Sequence, residues 1–385
     1  RTTNNEQRTT NNEQRTTFFV QRTSKVEYRS SNIVHRFSSK EQRTTNNKQK
    51  DMESKLITHV ILTGGIGSRL WPLSRKSRPK QYLDIFDGKS LFELTANRNK
   101  DIANKIIVVG NIDNCHLSKA ILDKTNTEYI DIIESTPRNT AAAIAFAAFG
   151  SSDDDILIVT PSDHIIDNMD SYKQAIAQAT DMASQGYIVT FGIVPTKPEI
   201  GYGYIERKGD DVISFREKPN QVTAADFIAK GNFLWNSGMF CFKASIFLEE
   251  LKLYAPQVYE KSKIAWEKSV EGVIDFEASM QIPSISVDYA VMEKSKKIKV
   301  VASEFVWSDL GSFESVYDYL VTIGHPVDKD RNMVIGTEKY TAFIGMKDTI
   351  FIFTDSAHLI LQKEFSQDVK SLYGALEREN PALLE

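Results

Sequence analysis

The chain has 385 residues, of which 41% are hydrophobic and 25% are charged, and its formal net charge is −4. This length allows two or three domains, and the composition is that of an ordinary globular protein. Two cysteines exclude a disulfide framework. The longest apolar stretch, 141–149, is about half of what a membrane span needs, and no secretory core precedes it. We therefore expect a cytoplasmic protein that has no membrane partner.

The first 51 residues differ from the rest in charge and in pattern. They contain 11 basic and 5 acidic residues, so the remaining chain, with 36 basic and 46 acidic residues, carries −10. The unit RTTNNEQ fills 1–7 and 8–14, and decayed copies follow at 15–21 and 43–49. No position of this unit is apolar, which excludes a coiled coil. We predict that 1–51 is a disordered, repetitive tail.

We favour a solvated tail without a function, and two other interpretations of this tail stay open. It could be a basic arm for nucleic acid, but the negative charge of the remaining chain opposes a nucleic-acid partner. Alternatively, the native enzyme begins at Met52, the first methionine, and 1–51 is not part of it.

From Met52 onward, short Ile- and Val-rich runs alternate with helical patterns. The predicted strands are 56–63, 106–109, 156–160 and 188–191, and the predicted helices are 91–103, 141–150 and 171–186. This alternation predicts an α/β fold in which helices cover a sheet of parallel strands. Ligands of such folds bind beyond the carboxyl ends of the strands.

The pattern changes near Asp330. The remaining residues predict short strands at 333–335, 341–344, 350–353 and 358–362 and a closing helix at 366–379. We therefore predict a catalytic domain over 52–329 and a small β-rich C-terminal domain over 330–385.

The strongest local motif is the glycine-rich turn that follows the first strand. Gly64, Gly65 and Gly67 would let the backbone approach a polyphosphate, and Arg69 would add a cation for it. The motif is neither a Walker A loop nor a dinucleotide fingerprint. From spacing alone, a tight turn without a ligand is the alternative.

Two further residues suit the same phosphates. Lys80 follows the glycine-rich turn and could supply a second cation, although a surface lysine is the commoner case. Asp163 follows the apolar strand 156–160, where a carboxylate could hold Mg²⁺ or simply cap a helix. His164 has no serine or cysteine nucleophile near it in the sequence, so we interpret it as structural.

Eight longer blocks follow one another in the order that is found in the bacterial mannose-1-phosphate guanylyltransferases (GDP-mannose pyrophosphorylases). Together they resemble the short form of this family. The blocks lie at 64–81, 137–141, 161–164, 201–205, 217–219, 235–240, 288–293 and 307–312. This family belongs to the sugar-nucleotidyltransferase superfamily. The resemblance implies a Rossmann-like mixed, mostly parallel sheet and the transfer of GMP from GTP to α-D-mannose 1-phosphate, with release of pyrophosphate.

The resemblance also implies a role for individual residues. It makes Arg69, Lys80 and Asp163 catalytic, and it assigns Mg²⁺ to Asp163 and Asp309. Nucleotide binding is implied for Gly64, Gly65, Gly67, Arg69, Lys80, Arg138, Asn139 and Thr140. Sugar-phosphate binding is implied for Gly203, Glu217, Lys218, Asn236 and Asp288.

Some features leave alternatives open. Ile200 replaces a common threonine beside the sugar block, so a heptose, fucose or glucose 1-phosphate remains an alternative substrate. A non-catalytic GDP-sugar-binding regulator is a second alternative, but such a protein has no need of the metal carboxylates. Only about 55 residues follow Asp330, too few for the isomerase module of many relatives. The short C-terminal domain is expected to serve packing or homo-oligomer contacts.

Overall fold

The structure is a computed structural model that describes residues 56–84, 88–124 and 128–385. They belong to one compact unit, Ser54–Glu385. The predicted tail at 1–51 lies outside the described residues. Within the described ranges, no helix is long and apolar enough to cross a membrane.

Strands and helices alternate through most of the chain. The strands are β1 Ile57–Thr63, β2 Lys105–Asn111, β3 Tyr129–Glu134, β4 Ile156–Pro161, β5 Ile165–Asp167, β6 Ile188–Ile193, β7 Tyr204–Lys208, β8 Asp211–Arg216, β9 Phe233–Lys243, β10 Ile298–Ser303, β11 Val306–Ser308, β12 Met333–Ile335, β13 Thr349–Phe353 and β14 His358–Gln362. The α-helices are α1 Leu91–Arg98, α2 Cys115–Lys124, α3 Asn139–Phe149, α4 Met169–Ser184, α5 Gln221–Lys230, α6 Ala244–Tyr254, α7 Pro256–Glu267, α8 Phe276–Met280, α9 Phe313–Thr322 and α10 Val369–Glu379.

A large mixed sheet forms the centre of the molecule. Its strand order is β3-β2-β1-β4-β9-β6-β10-β8-β7, and β7 also pairs with β9. The pairs β3–β2, β2–β1, β1–β4 and β6–β10 are parallel, whereas β9 pairs antiparallel with β4, β6 and β7. The expected α/β fold with a mixed sheet is therefore confirmed, but the expectation of a mostly parallel sheet is not, because five of the nine strand pairs in this sheet are antiparallel. The sequence pattern did not predict β7, β8 and β9, which bring in antiparallel pairing.

Helices pack against this sheet, and the central strands β1, β4 and β6 are therefore largely buried. The residues of α3 from Ala141 to Ala148 are all buried, and this helix packs with Val60, Leu157 and Phe242 of the sheet. On α4, Tyr172, Ala175, Ile176 and Ala179 are buried in a second cluster, because spacings of three and four residues place them on one face of the helix.

The C-terminal residues form a three-stranded sheet of order β12-β13-β14. Buried side chains of this sheet and of α10 share one hydrophobic cluster with Leu70, Leu310 and Phe313 of the preceding chain. The predicted strand at 341–344 is wrong, because this segment is an irregular connection between β12 and β13 whose Ile344 is exposed. The domain boundary at 329/330 stays a prediction.

Parallel pairing brings several strand ends to one edge of the sheet. β1 and β4 end side by side, with Leu62 paired to Pro161, and β3 ends at Glu134 two strands away from β1. The segments after these strands carry the glycine-rich turn and Asp163. This edge therefore holds the candidate site.

Candidate active site

A cleft of about 460 Å³ opens at this edge of the sheet. It brings together many of the residues predicted from the sequence, although these are spread over more than 200 positions. Those that line it are Gly64, Gly65, Asn139, Thr140, Asp163, Gly203, Glu217, Lys218, Asn236, Asp288 and Asp309.

The glycine-rich turn lies against the segment that carries Lys80. Gly67 has a φ of 76°, and a Cβ built there would lie 2.5 Å from the Cβ of Lys80. The Lys80 backbone N–H donates to the carbonyl oxygen of Ile66 over 3.1 Å. A side chain at position 67 would therefore displace Lys80, which explains why a glycine is needed there.

Lys80 contacts both residues that were predicted to bind the metal, through the carboxylate of Asp163 and the backbone of Asp309. The residue is only 4% exposed, and its ammonium donates to Asp163 Oδ2 over 2.9 Å. The same ammonium donates to the backbone carbonyl of Asp309. A lysine that the sequence alone would leave at the surface is thus buried between two elements that lie far apart along the chain.

This cation keeps Asp163 ionised. Burial by itself would raise the pKa of Asp163, but the charge and hydrogen bond of Lys80, together with the nearby His164, hold this pKa below its ordinary value. The Asp163 side chain retains 29% exposure toward the cleft. An ionised, accessible carboxylate is suited to contact a cation.

Asp309 is held from the other side of the cleft. Its Oδ1 accepts hydrogen bonds from the Tyr202 hydroxyl over 2.8 Å and from the Gly311 backbone N–H over 2.9 Å. Among the described residues, no partner donates a hydrogen bond to Asp309 Oδ2. Similarly, Asp163 Oδ1 lies 3.7 Å from the nearest ring nitrogen of His164, beyond hydrogen-bond length.

These two carboxylates suit a Mg²⁺ ion. Each has one oxygen fixed by other residues and one oxygen without such a bond, which could coordinate a cation. No cluster of three or more His, Cys, Asp or Glu within 56–84, 88–124 and 128–385 could hold a metal. A pair of carboxylates fits Mg²⁺ in particular, because this ion keeps several waters and takes its other ligands from substrate phosphates.

His164 has a positioning contact, in agreement with its structural interpretation. The Trp307 indole N–H donates to His164 Nδ1 over 3.2 Å, and the two rings meet edge to face. Burial lowers the pKa of His164, while the charge of Asp163 opposes this shift. Since Nδ1 accepts a hydrogen bond, the proton of the neutral ring lies on Nε2, toward Asp163.

The predicted sugar-binding residues also line the cleft, and Gly203, Glu217, Asn236 and Asp288 are called the sugar wall below. Asn236 Nδ2 donates to Asp288 Oδ1 over 3.0 Å, and Lys218 Nζ donates to Glu217 Oε1 over 2.6 Å. A Cβ at Gly203 would lie 2.6 Å from Glu217 Oε2. Burial and the charge of Glu217 raise the pKa of Asp288. These carboxylates and amides could bind hydroxyl groups, and the exposed Lys218 could bind a phosphate.

The predicted nucleotide loop 138–140 divides into residues inside and outside the cleft. Asn139 lines it with a φ of 70°, an uncommon conformation for a residue other than glycine. Thr140 also lines it, and its hydroxyl accepts from the Val287 N–H over 2.9 Å. Arg138 points elsewhere, since its Nε donates to the Ile282 carbonyl over 2.7 Å.

Sequence reasoning missed Glu134, which lines the cleft beside Asn139. This last residue of β3 is 7% exposed, and among the described residues its carboxylate accepts one hydrogen bond, from the Arg138 N–H over 3.5 Å. Burial raises its pKa to about 7, an effect that this weak bond only partly opposes. The signal available in the sequence was the isoleucine-rich run Tyr129–Glu134, which was not predicted as a strand.

Arg69 lies in a neighbouring cavity of about 670 Å³. This cavity shares Tyr202, Lys218, Trp307 and Asp309 with the cleft. The Nε of Arg69 is buried and, among the described residues, has no hydrogen-bond partner. Arg69 and Asp309 line the same cavity, and an unpaired guanidinium donor suits an anionic ligand.

Comparison with known proteins places these features in a family. The model of the nucleotidyl transferase family matches residues 58–324. This range contains every residue assigned above to the cleft.

Individual relatives cover most of the chain. The alginate biosynthesis protein AlgA of Pseudomonas aeruginosa is 37% identical over 346 residues, and the match covers 83% of this chain and 72% of that protein. The mannose-1-phosphate guanylyltransferase RfbM of Salmonella typhimurium is 36% identical over 360 residues, with 83% and 72% covered. A crystal structure described as mannose-1-phosphate geranyltransferase from Thermus thermophilus has a TM-score of 0.72 and 27% identity, and the match covers 83% of this chain and 99% of that one.

Proposed function

This chain belongs to the nucleotidyl transferase family, and we propose that it transfers GMP from GTP to α-D-mannose 1-phosphate, giving GDP-mannose and pyrophosphate. It is a nucleotidyltransferase, and relatives named as mannose-1-phosphate guanylyltransferases match it over most of its length. The observation that carries the proposal is the contact of the buried Lys80 with Asp163 and Asp309, two residues that line a cleft rich in polar groups.

The chemistry of this reaction fits the residues of the cleft. The attacking group is an oxygen of the sugar phosphate, which is already mostly ionised near neutral pH because its second pKa is about 6. No general base is needed, so catalysis depends on positioning the two substrates in line and on neutralising charge. Lys80, Arg69 and Lys218 supply cations around the predicted position of the phosphates.

Each wall of the cleft is assigned to one substrate. We assign guanine to the wall of Glu134, Asn139 and Thr140, because a carboxylate oxygen can accept from the N–H groups of guanine. We assign the sugar to Gly203, Glu217, Asn236 and Asp288, whose side chains offer acceptors for its hydroxyls. The phosphate of the sugar and the α-phosphate of GTP would then meet between the glycine-rich turn and Asp163.

Mg²⁺ is the metal that we propose for Asp163 and Asp309. When bound, it would neutralise charge on the phosphates that meet in the cleft. The residues of this chain do the rest: Lys80 holds the carboxylate of Asp163 in its ionised state, and the Tyr202 hydroxyl and Gly311 N–H fix the carboxylate of Asp309.

Pyrophosphate release tests the proposed reaction. The full chain would be incubated with Mg²⁺, each of the four NTPs in turn, and a panel of mannose, glucose, fucose and heptose 1-phosphates. We expect release with GTP and mannose 1-phosphate that exceeds every other pair. If another sugar 1-phosphate gave the highest release, that sugar would replace mannose in the proposed reaction. If no pair gave release, the result would support a non-catalytic GDP-sugar-binding protein.

A further inference from the structure

The connection between β6 and β7 reaches from the sugar wall to a metal carboxylate. It ends in Gly201, Tyr202 and Gly203, all of which line the cleft. The Tyr202 hydroxyl donates to Asp309 Oδ1 over 2.8 Å, although the two residues are 107 positions apart. The family resemblance implies sugar binding for Gly203 but gives Tyr202 no role.

Aromatic packing fixes the Tyr202 ring. The ring meets Trp235 edge to face at a centroid distance of 5.2 Å and Trp307 at 5.1 Å. Held in this way, the Tyr202 hydroxyl is directed at Asp309 Oδ1, to which it donates its hydrogen bond.

The residue after Tyr202 belongs to the sugar wall. The carbonyl oxygen of Gly203 accepts from the Asn236 N–H over 2.8 Å, and the position of its missing Cβ is 2.6 Å from Glu217 Oε2. At its other end, the connection is anchored by Lys197, which donates to Glu314 of α9 over 3.0 Å. A sugar phosphate that contacts Gly203 or Glu217 would therefore bear directly on the backbone that carries Tyr202.

We propose that Tyr202 is a positioning residue that orients Asp309 for a divalent metal and thereby couples metal binding to the occupancy of the sugar wall. This inference rests on the proposed function. With Oδ1 of Asp309 occupied by Tyr202 and Gly311, the carboxylate presents Oδ2 to a cation. A ligand on the sugar wall that orders the connection strengthens metal binding, and by linkage the metal strengthens sugar-phosphate binding to the same degree.

Binding of Mn²⁺, measured by electron paramagnetic resonance, tests the coupling without turnover. The full chain is titrated in the presence of a GTP analogue with a methylene group between the α- and β-phosphorus atoms, which prevents transfer. Each titration is repeated with mannose 1-phosphate. Wild-type protein should bind Mn²⁺ more tightly when mannose 1-phosphate is present.

The test variant is Tyr202→Phe, which keeps the ring and both tryptophan contacts. Loss of a hydrogen bond to a metal ligand typically weakens metal binding about 10- to 100-fold, and we expect a decrease of that size together with loss of the response to mannose 1-phosphate. Tyr317→Phe is the matched control, because its hydroxyl donates over 3.2 Å to the Arg331 carbonyl, a group that does not line the cleft. It should bind Mn²⁺ as wild type does.

A double-mutant cycle shows whether Tyr202 acts through Asp309. In an Asp309→Asn background, Tyr202→Phe should have little further effect on Mn²⁺ affinity. Equal effects of Tyr202→Phe in both backgrounds, or an unchanged response to mannose 1-phosphate, would overturn the inference. Pyrophosphate release by wild-type protein is read separately: if it occurs while Tyr202→Phe binds Mn²⁺ normally, the inference fails and the proposed function stands.

Discussion

The ammonium of Lys80 donates a hydrogen bond to Asp163 Oδ2 over 2.9 Å. The two residues are 83 positions apart, and each follows a strand of the parallel part of the sheet. The pair is not fully removed from water, because Asp163 keeps 29% of its side chain exposed in the cleft. The buried cation thus has an accessible anionic partner, and both are placed where phosphates and a metal would meet.

Replacing Lys80 tests the importance of this pair. Lys80→Met removes the cation that stabilises the Asp163 carboxylate and the predicted phosphates, and we expect pyrophosphate release to fall about 10²- to 10³-fold. Because the pKa of Asp163 should rise, the acid side of the pH–rate profile should also move to higher pH. Lys173→Met, at an exposed position of α4, is the control. Normal turnover in Lys80→Met would contradict the role.

Glu134 should determine which base is accepted. Guanine presents N1–H and N2–H as donors, whereas xanthine has an acceptor oxygen at position 2. Glu134→Gln exchanges one acceptor for a donor, so we expect kcat/KM to fall about 10- to 100-fold for GTP and to rise for XTP. Steady-state kinetics with both nucleotides measure the change. Glu128→Gln, at an exposed position before β3, is the control and should retain the preference for GTP. If Glu134→Gln also retained this preference, Glu134 would not contact the base.

The same carboxyl group should make stability depend on pH. Burial raises the pKa of Glu134 from 4.5 to about 7. Between these values the folded state binds more protons than the unfolded state, so the free energy of unfolding decreases as pH rises through this window. The full loss is about 3 kcal/mol. Denaturant unfolding should show a smaller decrease between pH 4.5 and 7 in Glu134→Gln than in the wild-type protein, and parallel curves would refute this origin.

Gly203→Ala should affect the sugar wall selectively. Its Cβ would lie 2.6 Å from Glu217 Oε2, so either Glu217 or the backbone must move. A displacement of about 1 Å can cost about 100-fold, and we expect the KM for mannose 1-phosphate to increase while the affinity for GTP stays the same. Gly374→Ala on α10, whose Cβ would meet only the end of Arg378 at 4.0 Å, is the control. An equal loss of GTP affinity would contradict the assignment of the two walls.

Arg138 should matter for stability more than for GTP binding. Its Nε donates to the Ile282 carbonyl, and the residue does not line the cleft. We expect Arg138→Met to lower the free energy of unfolding by about 1–3 kcal/mol, because a charge-assisted hydrogen bond to a partly buried carbonyl is lost. The KM for GTP should change less than twofold. A large increase in that KM would restore the role in nucleotide binding that the family resemblance implies.

Local patterns in the sequence were sufficient for much of the fold. The Ile- and Val-rich runs predicted β1, β2, β4 and β6 to within a few residues, because buried strands need continuous apolar stretches. The strands β3, β7, β8, β9 and β10 were not predicted, and for β8 the reason is that it alternates between exposed and half-buried residues and carries no apolar run. The strand expected at 341–344 failed because its apolar residues have no neighbouring strand to pair with.

The sequence by itself determined which chemical groups this protein has: a glycine-rich turn, cations after it, and carboxylates at the ends of strands. Motifs and their spacing are enough to identify these groups, because the carboxyl ends of parallel strands lie at the same edge of a sheet. Only the tertiary structure decided how these groups contact one another. It buried Lys80 between Asp163 and Asp309, directed Arg138 to Ile282, and brought Tyr202 to Asp309. Such contacts join residues tens to hundreds of positions apart, and their geometry depends on the packing of the whole sheet.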